Sequence, residues 1–570
     1  MTKRWIEKAL PREDLVDKTN SSLGFGNLAS KILVMRGIDS YEKARKFFKP
    51  KLSDIYDPFL MKDMSQAVNR IATAIENGEK ILVYGDYDVD GTTSVALMYI
   101  YLKNIYNEEY LDYYIPDRNT EGYGISTEGI NYAKENGFSL IIALDCGIKS
   151  AEKINYASSL GIDFIICDHH LPGEKLPEAV AVLDPKRKDC SYPFKELSGC
   201  GVGFKLCQGL NTIYQLPEKE LHALSDLLVI SIAADIVPII DENRTFAKMG
   251  LKKLRNSTRP GIQKLILKDK LRHFTISNIV FEIAPKINAA GRISHAKTAV
   301  KLLITEDPLK AEEIVERILK LNDQRRDLDS NMTFEAKEQV IETQQENDYS
   351  TIVYHPEWNK GVIGIVASRL IETYYKPTLV FTDGNDGEMV GSARSVSDFD
   401  LHHALDQCSD LFLKFGGHRA AAGLSIEKKN FEEFKIRFEE IVKSSIQEHQ
   451  KSPTITIDSE ISLDDLTDDF LRFHHKLQPF GPENMKPVFL IKNTSIYGNI
   501  KRIGKTGIHL KFKVEQAGCK NIFEALAFKS GDSFTDFTTK KFDLVFTIEE
   551  NYWKGNMTYF LNIKDALFHS

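Results

Sequence analysis

No run of about 18 consecutive apolar residues occurs in this 570-residue chain, so hydropathy offers no membrane-spanning helix. The opening MTKRWIEKALPRED also lacks the apolar centre of a signal peptide, and the expected location is the cytoplasm. Cysteine is scarce. The seven thiols, at 146, 167, 190, 200, 207, 408 and 519, are odd in number and scattered, with no CxxC pair. That pattern fits reduced cysteines and excludes the usual zinc spacings. Positive charge is not in excess either, because the formal net charge is −7. Bulk electrostatics therefore give no support for nucleic-acid binding, and any binder with this balance must gather its basic residues in a groove. What remains is ordinary globular material, 27% charged and 42% hydrophobic. At about 150 residues per domain this length implies three or four domains.

The chain is organised around residues 81–94, ILVYGDYDVDGTTS. A β-prone apolar run enters Gly85, and Asp86, Asp88 and Asp90 follow at every second position. Thr92, Thr93 and Ser94 then read as helix N-cap candidates before the helical VALMYIYL. In an extended loop, alternate residues share a face, so three carboxylates converge there. Like charges that close call for cations between them, and hard oxygen ligands suit Mg²⁺ or Mn²⁺. The DxDxDG pattern alone equally describes a solvated acidic turn.

Strand-like runs at 81–85, 111–116, 139–145, 163–168 and 179–184 alternate with amphipathic helical stretches at 127–136 and 149–160. This alternation predicts a parallel sheet covered on both faces. Several strands end in aspartate, namely Asp86, Asp145, Asp168 and Asp184. Ligand sites in open α/β sheets lie at the carboxyl ends of strands, so these acids are functional candidates. Asp168-His169-His170 adds imidazoles to the same mouth and makes a mixed N/O metal constellation. Asp235, inside the apolar run LLVISIAADIVP, is expected to be buried, where it needs a cation or strong donors.

Residues 1–60 read as a helical N-terminal extension, and residues 307–346 as one long helix whose Arg325 and Arg326 are candidates to face a cleft. A second α/β segment starts at TIVYH and contains GSARS (391–395) and the Gly-rich GGHRAAAGL (416–424). From about 452 the chain turns to short, evenly spaced strand-like runs without helices, which predicts a small barrel.

GDYDVDG, DCG (145–147), DHH (168–170) and Asp235 resemble the ordered motifs of the DHH phosphoesterase superfamily. IPDRNTEGYGI, SGCGVGFKL, APKINAAGRI, WNKGVIGIVASRL, GSARS and GGHRAAAGL extend the resemblance to that superfamily's bacterial exonucleases, over about residues 50–565. The resemblance implies an α/β fold: an extension (1–60), a parallel-sheet DHH catalytic domain (61–305), a connecting helix (306–347), a smaller α/β DHHA1 substrate-binding domain (348–450) and an OB-type barrel (452–570). It implies 5′→3′ exonuclease action on single-stranded DNA in recombination and repair, releasing 5′-mononucleotides with two Mn²⁺ or Mg²⁺ ions. Asp88 is then assigned to one ion, Asp90, His169 and Asp235 to the other, and Asp145 to both. Asp86 is a ligand or orienter of the first ion, His170 meets the scissile phosphate and Asp168 orients the histidines. Arg118, Arg292, Ser392, Arg394 and the loop Gly416, Gly417, His418 and Arg419 are the substrate-binding candidates. In the barrel, Tyr497, Lys501, Arg502, Lys505, Lys511, Lys513, Tyr552 and Trp553 are candidate strand contacts. The expected partners are single-stranded DNA, a helicase and a single-strand-binding protein, with the chain acting as a monomer and away from membranes. The alternatives are a phosphodiesterase of the same superfamily acting on cyclic dinucleotides or short RNA, and an inactive DNA-binding replication scaffold.

Overall fold

A computed structural model describes residues 3–266, 273–384, 387–553 and 556–569. Two compact units emerge, one of residues 1–54, 238–240 and 453–570 and the other of 55–237 and 241–452. The first strand, β1 (Arg4–Glu7), belongs with the C-terminal strands described below.

In the second unit a five-stranded parallel sheet runs in the order β3-β2-β4-β5-β6, from β2 (Lys80–Gly85), β3 (Leu111–Tyr114), β4 (Phe138–Leu144), β5 (Asp163–Cys167) and β6 (Ala181–Leu183). Its central strands are buried on both faces, which accounts for their continuous Val/Ile/Leu composition. Helices Thr127–Glu135 and Ala151–Ser159 share one core with Leu82, Tyr84, Ile141 and Ala143. Helices Val89–Lys103 and Gly199–Tyr214 also pack on the sheet. The acidic stretch corrects one expectation. The helix begins at Val89, its N-cap is Asp88, and Asp90 lies in its first turn. Thr92, Thr93 and Ser94 instead send their hydroxyls back to the carbonyls of Asp88, Val89 and Asp90. An Asp outranks Thr as a cap because its carboxylate meets the positive end of the helix as well as the Gly91 N–H.

A single helix, Pro308–Glu342, capped by Asp307, leads to a second sheet. Its strands β7 (Thr351–Tyr354), β8 (Thr378–Asp383), β9 (Glu388–Arg394), β10 (Phe412–His418) and β11 (Ala421–Glu427) take the order β10-β11-β9-β8-β7. Gly416, Gly417 and His418, expected in a loop, form the end of β10, because hairpin pairing with β11 continues through them and only the turn at Arg419 is free of it.

The first unit is built from β12 (Thr454–Ile457), β13 (Ser459–Glu460), β14 (Val488–Ile496), β15 (Lys501–Ile503), β16 (His509–Gln516), β17 (Phe523–Ala527), β18 (Phe542–Trp553) and β19 (Asn556–Phe568). Seven strands run β13-β14-β18-β19-β17-β16-β15, and β14 pairs again with β16, closing a barrel. Two helices, Asp468–Lys476 and Phe534–Thr539, interrupt the strands that were expected to run without any. The N-terminal segment is not wholly helical either: β1 pairs parallel with β12, and Trp5 donates to Asp565. Ile32 and Leu33 of the Asn27–Met35 helix share the barrel's core with Phe473, Phe489 and Phe512.

That core contains a titratable ring. His474 is 1% exposed, packs 5.3 Å from Phe480 between ring centroids, and neither nitrogen has a hydrogen-bond partner. Burial pulls its imidazole far below the ordinary value, to about 3. The ring is neutral when folded and takes up a proton on unfolding near pH 6.5. The stability this neutrality provides is full above about pH 6.5 and is lost as pH falls towards 3. The melting temperature of His474→Phe is expected to fall less steeply than that of the parent between pH 6.5 and 4. Equal slopes would exclude His474 as the acid-sensitive group.

Candidate metal centre and strand-end pocket

The strand ends of the parallel sheet bring the acids together. Gly91 allows the turn after β2 to close, since a Cβ there would lie 2.3 Å from the Asp86 carbonyl oxygen. Asp86 is buried and its Oδ1 has no partner. Asp90 is held by the N–H groups of Gly199 (2.7 Å) and Cys200 (2.9 Å) and by the Ser231 hydroxyl (2.6 Å). Asp145 follows β4 with φ +60°, a left-handed conformation that Asp tolerates better than most residues. Its Oδ1 has no hydrogen-bond partner and lies 3.2 Å from His169 Nε2. The same His169 nitrogen is 3.8 Å from Asp90 Oδ2 and 3.6 Å from Asp235 Oδ2. Asp235, expected to be buried, is half-buried with a side chain 27% exposed. It caps the C-terminus of the Ser225–Ala234 helix and so leaves the apolar run at the mouth.

Three clusters result: Asp86, Asp88 and Asp145; Asp90, His169 and Asp235; and Asp145, His169 and His170. Within each, the candidate ligand atoms lie within 4.8 Å of one another. Burial, and then Asp88, pushes the Asp86 carboxyl well above its ordinary range. Burial and Asp90 do the same to Asp145 and Asp235, and they also raise Asp88. Burial lowers His169, favouring the neutral ring that ligates metals. Carboxylates crowded in this way, with both His169 nitrogens buried and unpartnered, fit a divalent cation with a preference for oxygen and tolerance for imidazole.

Asp168 does a different job. Its Oδ1 accepts the N–H of His169 and His170 and faces His170 Nδ1 at 2.7 Å, while Oδ2 accepts Ile148 N–H. Burial opposes its charge, but these partners prevail and hold it at about 2. Burial also opposes a charge on His170, and Asp168 again prevails, raising the imidazole. Asp168 thus favours the imidazolium form of His170 at the mouth, with the Tyr123 hydroxyl 3.4 Å from its ring nitrogens.

A group of guanidiniums lies beside the acids. Arg118 sits 5.0 Å over the Tyr87 ring, and Arg292 donates to the Gly361 carbonyl. Burial, then the charges of Arg118, Arg394 and Arg325, lowers Arg292 to about 10. Burial and Arg118 also lower Arg394, which donates to Ser392 Oγ. The first turn of the Ile363–Tyr374 helix presses against both: a Cβ on Gly364 would lie 2.9 Å from Arg394 Nη2 and from Ser392 Oγ. Mutually repelling cations beside a helix N-terminus make an anion site.

Family models match in three segments: the DHH family, N-terminal domain, over residues 80–232; the DHHA1 domain over 347–444; and the RecJ OB domain over 457–565. The single-stranded-DNA-specific exonuclease RecJ of Bacillus subtilis is 38% identical over 99% of this chain and 70% of its own length. The chain belongs to the RecJ family. RecJ of Escherichia coli is 30% identical over 93% of this chain and 94% of its own. The crystal structure of Thermus thermophilus RecJ with Mn²⁺ superposes with a TM-score of 0.83 at 26% identity, over 99% of this chain and 79% of that one. The same protein has been solved with Mg²⁺, giving a TM-score of 0.77.

For a RecJ-family chain the remaining candidates distribute as follows. Gly416, Gly417 and His418 are exposed at the tip of β10, where partial burial, followed by the charges of Lys149 and His170, lowers the His418 imidazole. Arg419 turns away to donate to the Asp398 carbonyl. Arg325 joins the guanidinium group, whereas Arg326 is exposed. In the barrel, Tyr497, Lys501, Lys505 and Lys513 are exposed. Arg502 and Tyr552 are exposed as well, the first lying over Phe534 and the second donating to Glu550, while Lys511 pairs with Glu524. The Trp553 side chain lies outside the described residues.

Sequence reasoning missed the supports. Ser198, bonded to Ser231, and the N–H groups of Gly199 and Cys200 fix Asp90. SGCG at a helix start was the available signal, because such a start presents free N–H groups. Gly199 also makes room for the neighbouring acid, since a Cβ there would lie 2.5 Å from Asp145 Cβ. Gly199→Ala is therefore expected to displace Asp145 and weaken Mn²⁺ affinity about 10- to 100-fold. A Mn²⁺ titration of activity checks this, and an unchanged half-saturation point would separate Gly199 from the centre.

Proposed function

We propose that this RecJ-family chain is a metal-dependent exonuclease that degrades single-stranded DNA from its 5′ end and releases 5′-mononucleotides. The observation that carries the reading is the acidic and imidazole centre lying beside a guanidinium group contributed by both α/β domains. Asp86, Asp88 and Asp145 suit one Mn²⁺ or Mg²⁺, and Asp90, His169 and Asp235 suit a second, with Asp145 between them. Two such ions, when bound, lower the pKa of an attacking water and neutralise the scissile phosphate. The chain's own residues do the rest. Asp168 favours the protonated form of His170 and aims it, so that the ring offers its free N–H to a phosphate oxygen as charge develops there. Arg118, Arg292, Arg394 and Ser392 bind the terminal 5′-phosphate, whose extra charge over an internal phosphodiester matches clustered guanidiniums.

We read the chain as acting as a monomer. No described helix is long and apolar enough to cross a membrane. A strand-specific enzyme of recombination and repair works on DNA opened by a helicase and covered by a single-strand-binding protein, and we place it in the cytoplasm. The presence of an OB domain speaks against a cyclic-dinucleotide or short-RNA phosphodiesterase, and the filled acidic centre against an inactive scaffold. The test is Mn²⁺-dependent digestion of 5′- and 3′-labelled single strands beside a blunt duplex. Early release of the 5′ label with the duplex intact is expected, and early release of the 3′ label would overturn the polarity.

A further inference from the structure

The charges around the acidic centre are segregated. Arg118 follows β3 at one side of the sheet, and its influence falls on Asp86 and Tyr87, the residues after β2. At the opposite edge, beyond β6, stands Lys186, and beyond β4 stands Lys149. Their backbones are anchored by two strand-end aspartates. Asp184, fully buried, accepts Lys186 N–H at 2.7 Å, and Asp168 accepts the N–H of Ile148, next to Lys149. Lys149 is exposed and enters no ion pair among the described residues. Among the described residues Lys186 has one ion-pair partner, Glu196 at 3.5 Å with its carboxylate side 45% exposed, a surface pairing weak enough for a phosphate to displace. The Lys186 charge reaches Asp235 and His169, and both lysines act on His418 of the second sheet, which puts both charges within reach of the mouth.

We propose that Lys149, beyond the central strand β4, and Lys186, beyond β6, form a phosphate subsite on the side of the mouth away from Arg118, taking the phosphodiester that follows the scissile one. The inference rests on the exonuclease reading and adds a direction to it. With the 5′-phosphate at the arginines, the strand crosses the mouth from β3 towards β6 and leaves past the lysines. The step from β3 to β6 spans four strand spacings, about 19 Å, room for more than one nucleotide.

A double variant, Lys149→Gln with Lys186→Gln, tests this on 5′-phosphorylated oligonucleotides. A dinucleotide ends at the scissile phosphodiester, and a trinucleotide adds the next one. The ratio of kcat/KM for trinucleotide over dinucleotide is expected to fall about tenfold in the variant. On a decanucleotide, the salt dependence of KM should lose a slope of about 0.7, the value for one phosphate contact on single strands. The Lys149→Arg with Lys186→Arg protein should keep both properties. An unchanged trinucleotide-to-dinucleotide ratio, or an unchanged salt slope, would overturn the subsite while leaving 5′-end digestion in place. Parent protein that releases no 5′-terminal nucleotide would instead overturn the exonuclease reading and this inference with it, a result visible before any variant is compared.

Discussion

Asp145→Asn is expected to fold like the parent and to lose Mn²⁺-dependent hydrolysis by about three orders of magnitude or more. Asparagine suits the backbone, because Asp145 occupies the left-handed region at φ +60°, where Asn is at home and Ala is strained. It also fits the space left by Gly199. What it removes is charge. Asp145 is the one residue shared by the aspartate cluster at the β2 end and the histidine cluster at the β5 end. A neutral amide in its place leaves two cations with less to hold them together, and metal-assisted activation of water amounts to several kcal/mol, each 1.4 kcal/mol being about tenfold in rate. Melting curves establish the fold, Mn²⁺ titration the affinity and labelled single strands the rate. Turnover within tenfold of the parent, in a folded protein at saturating Mn²⁺, would remove Asp145 from its place between the ions.

Much of this centre was legible because a parallel sheet buried on both faces advertises itself. Its strands are unbroken runs of β-branched and aliphatic residues, and a polar residue closing such a run has to stand at the mouth. Asp86, Asp145, Asp168 and Asp184 did so, and the structure brings them to one end of the sheet. The less legible parts depend on chain reversals and distant pairing. DxDxDG read as an extended loop because alternation is a property of extended chain, yet capping by Asp88 winds Asp90 into a helix. Asp90 then needs donors from Ser231 and Gly199, more than 100 residues away, which no local pattern announces. The N-terminal strand was invisible for a similar reason. RWIE is too short to signal a strand, and it becomes one only because β12 supplies a parallel edge. The register of Arg4 on Thr454 has a practical consequence. Removing the barrel would expose β1 and the apolar face of the Asn27–Met35 helix, so a barrel deletion is interpretable only when residues 1–54 are removed with it.

In the end recognition proposed above Arg394 sets the strand polarity, and its removal is expected to discriminate between two otherwise identical substrates. Arg394 ends β9, where pairing with β8 on one side and β11 on the other fixes its backbone. Its guanidinium donates to Ser392 and to the Ala393 carbonyl, and faces the first turn of the Ile363–Tyr374 helix across Gly364. Burial and the Arg118 charge disfavour its protonated form, a cost that a phosphate dianion between the two would relieve. Arg394→Ala should therefore lose a charge-assisted interaction of about 1.5–3 kcal/mol with a 5′-phosphorylated strand, about ten- to hundredfold in kcat/KM. A 5′-hydroxyl strand lacks the group that Arg394 holds, so its turnover starts lower and changes little. Because one variant protein meets both substrates, any general loss of fold or metal cancels in the ratio. Phosphorylated and hydroxyl ends that lose equally would take Arg394 out of end recognition. A larger loss on the hydroxyl end would place the arginine on the strand interior and leave the 5′-phosphate to Arg118 and Arg292.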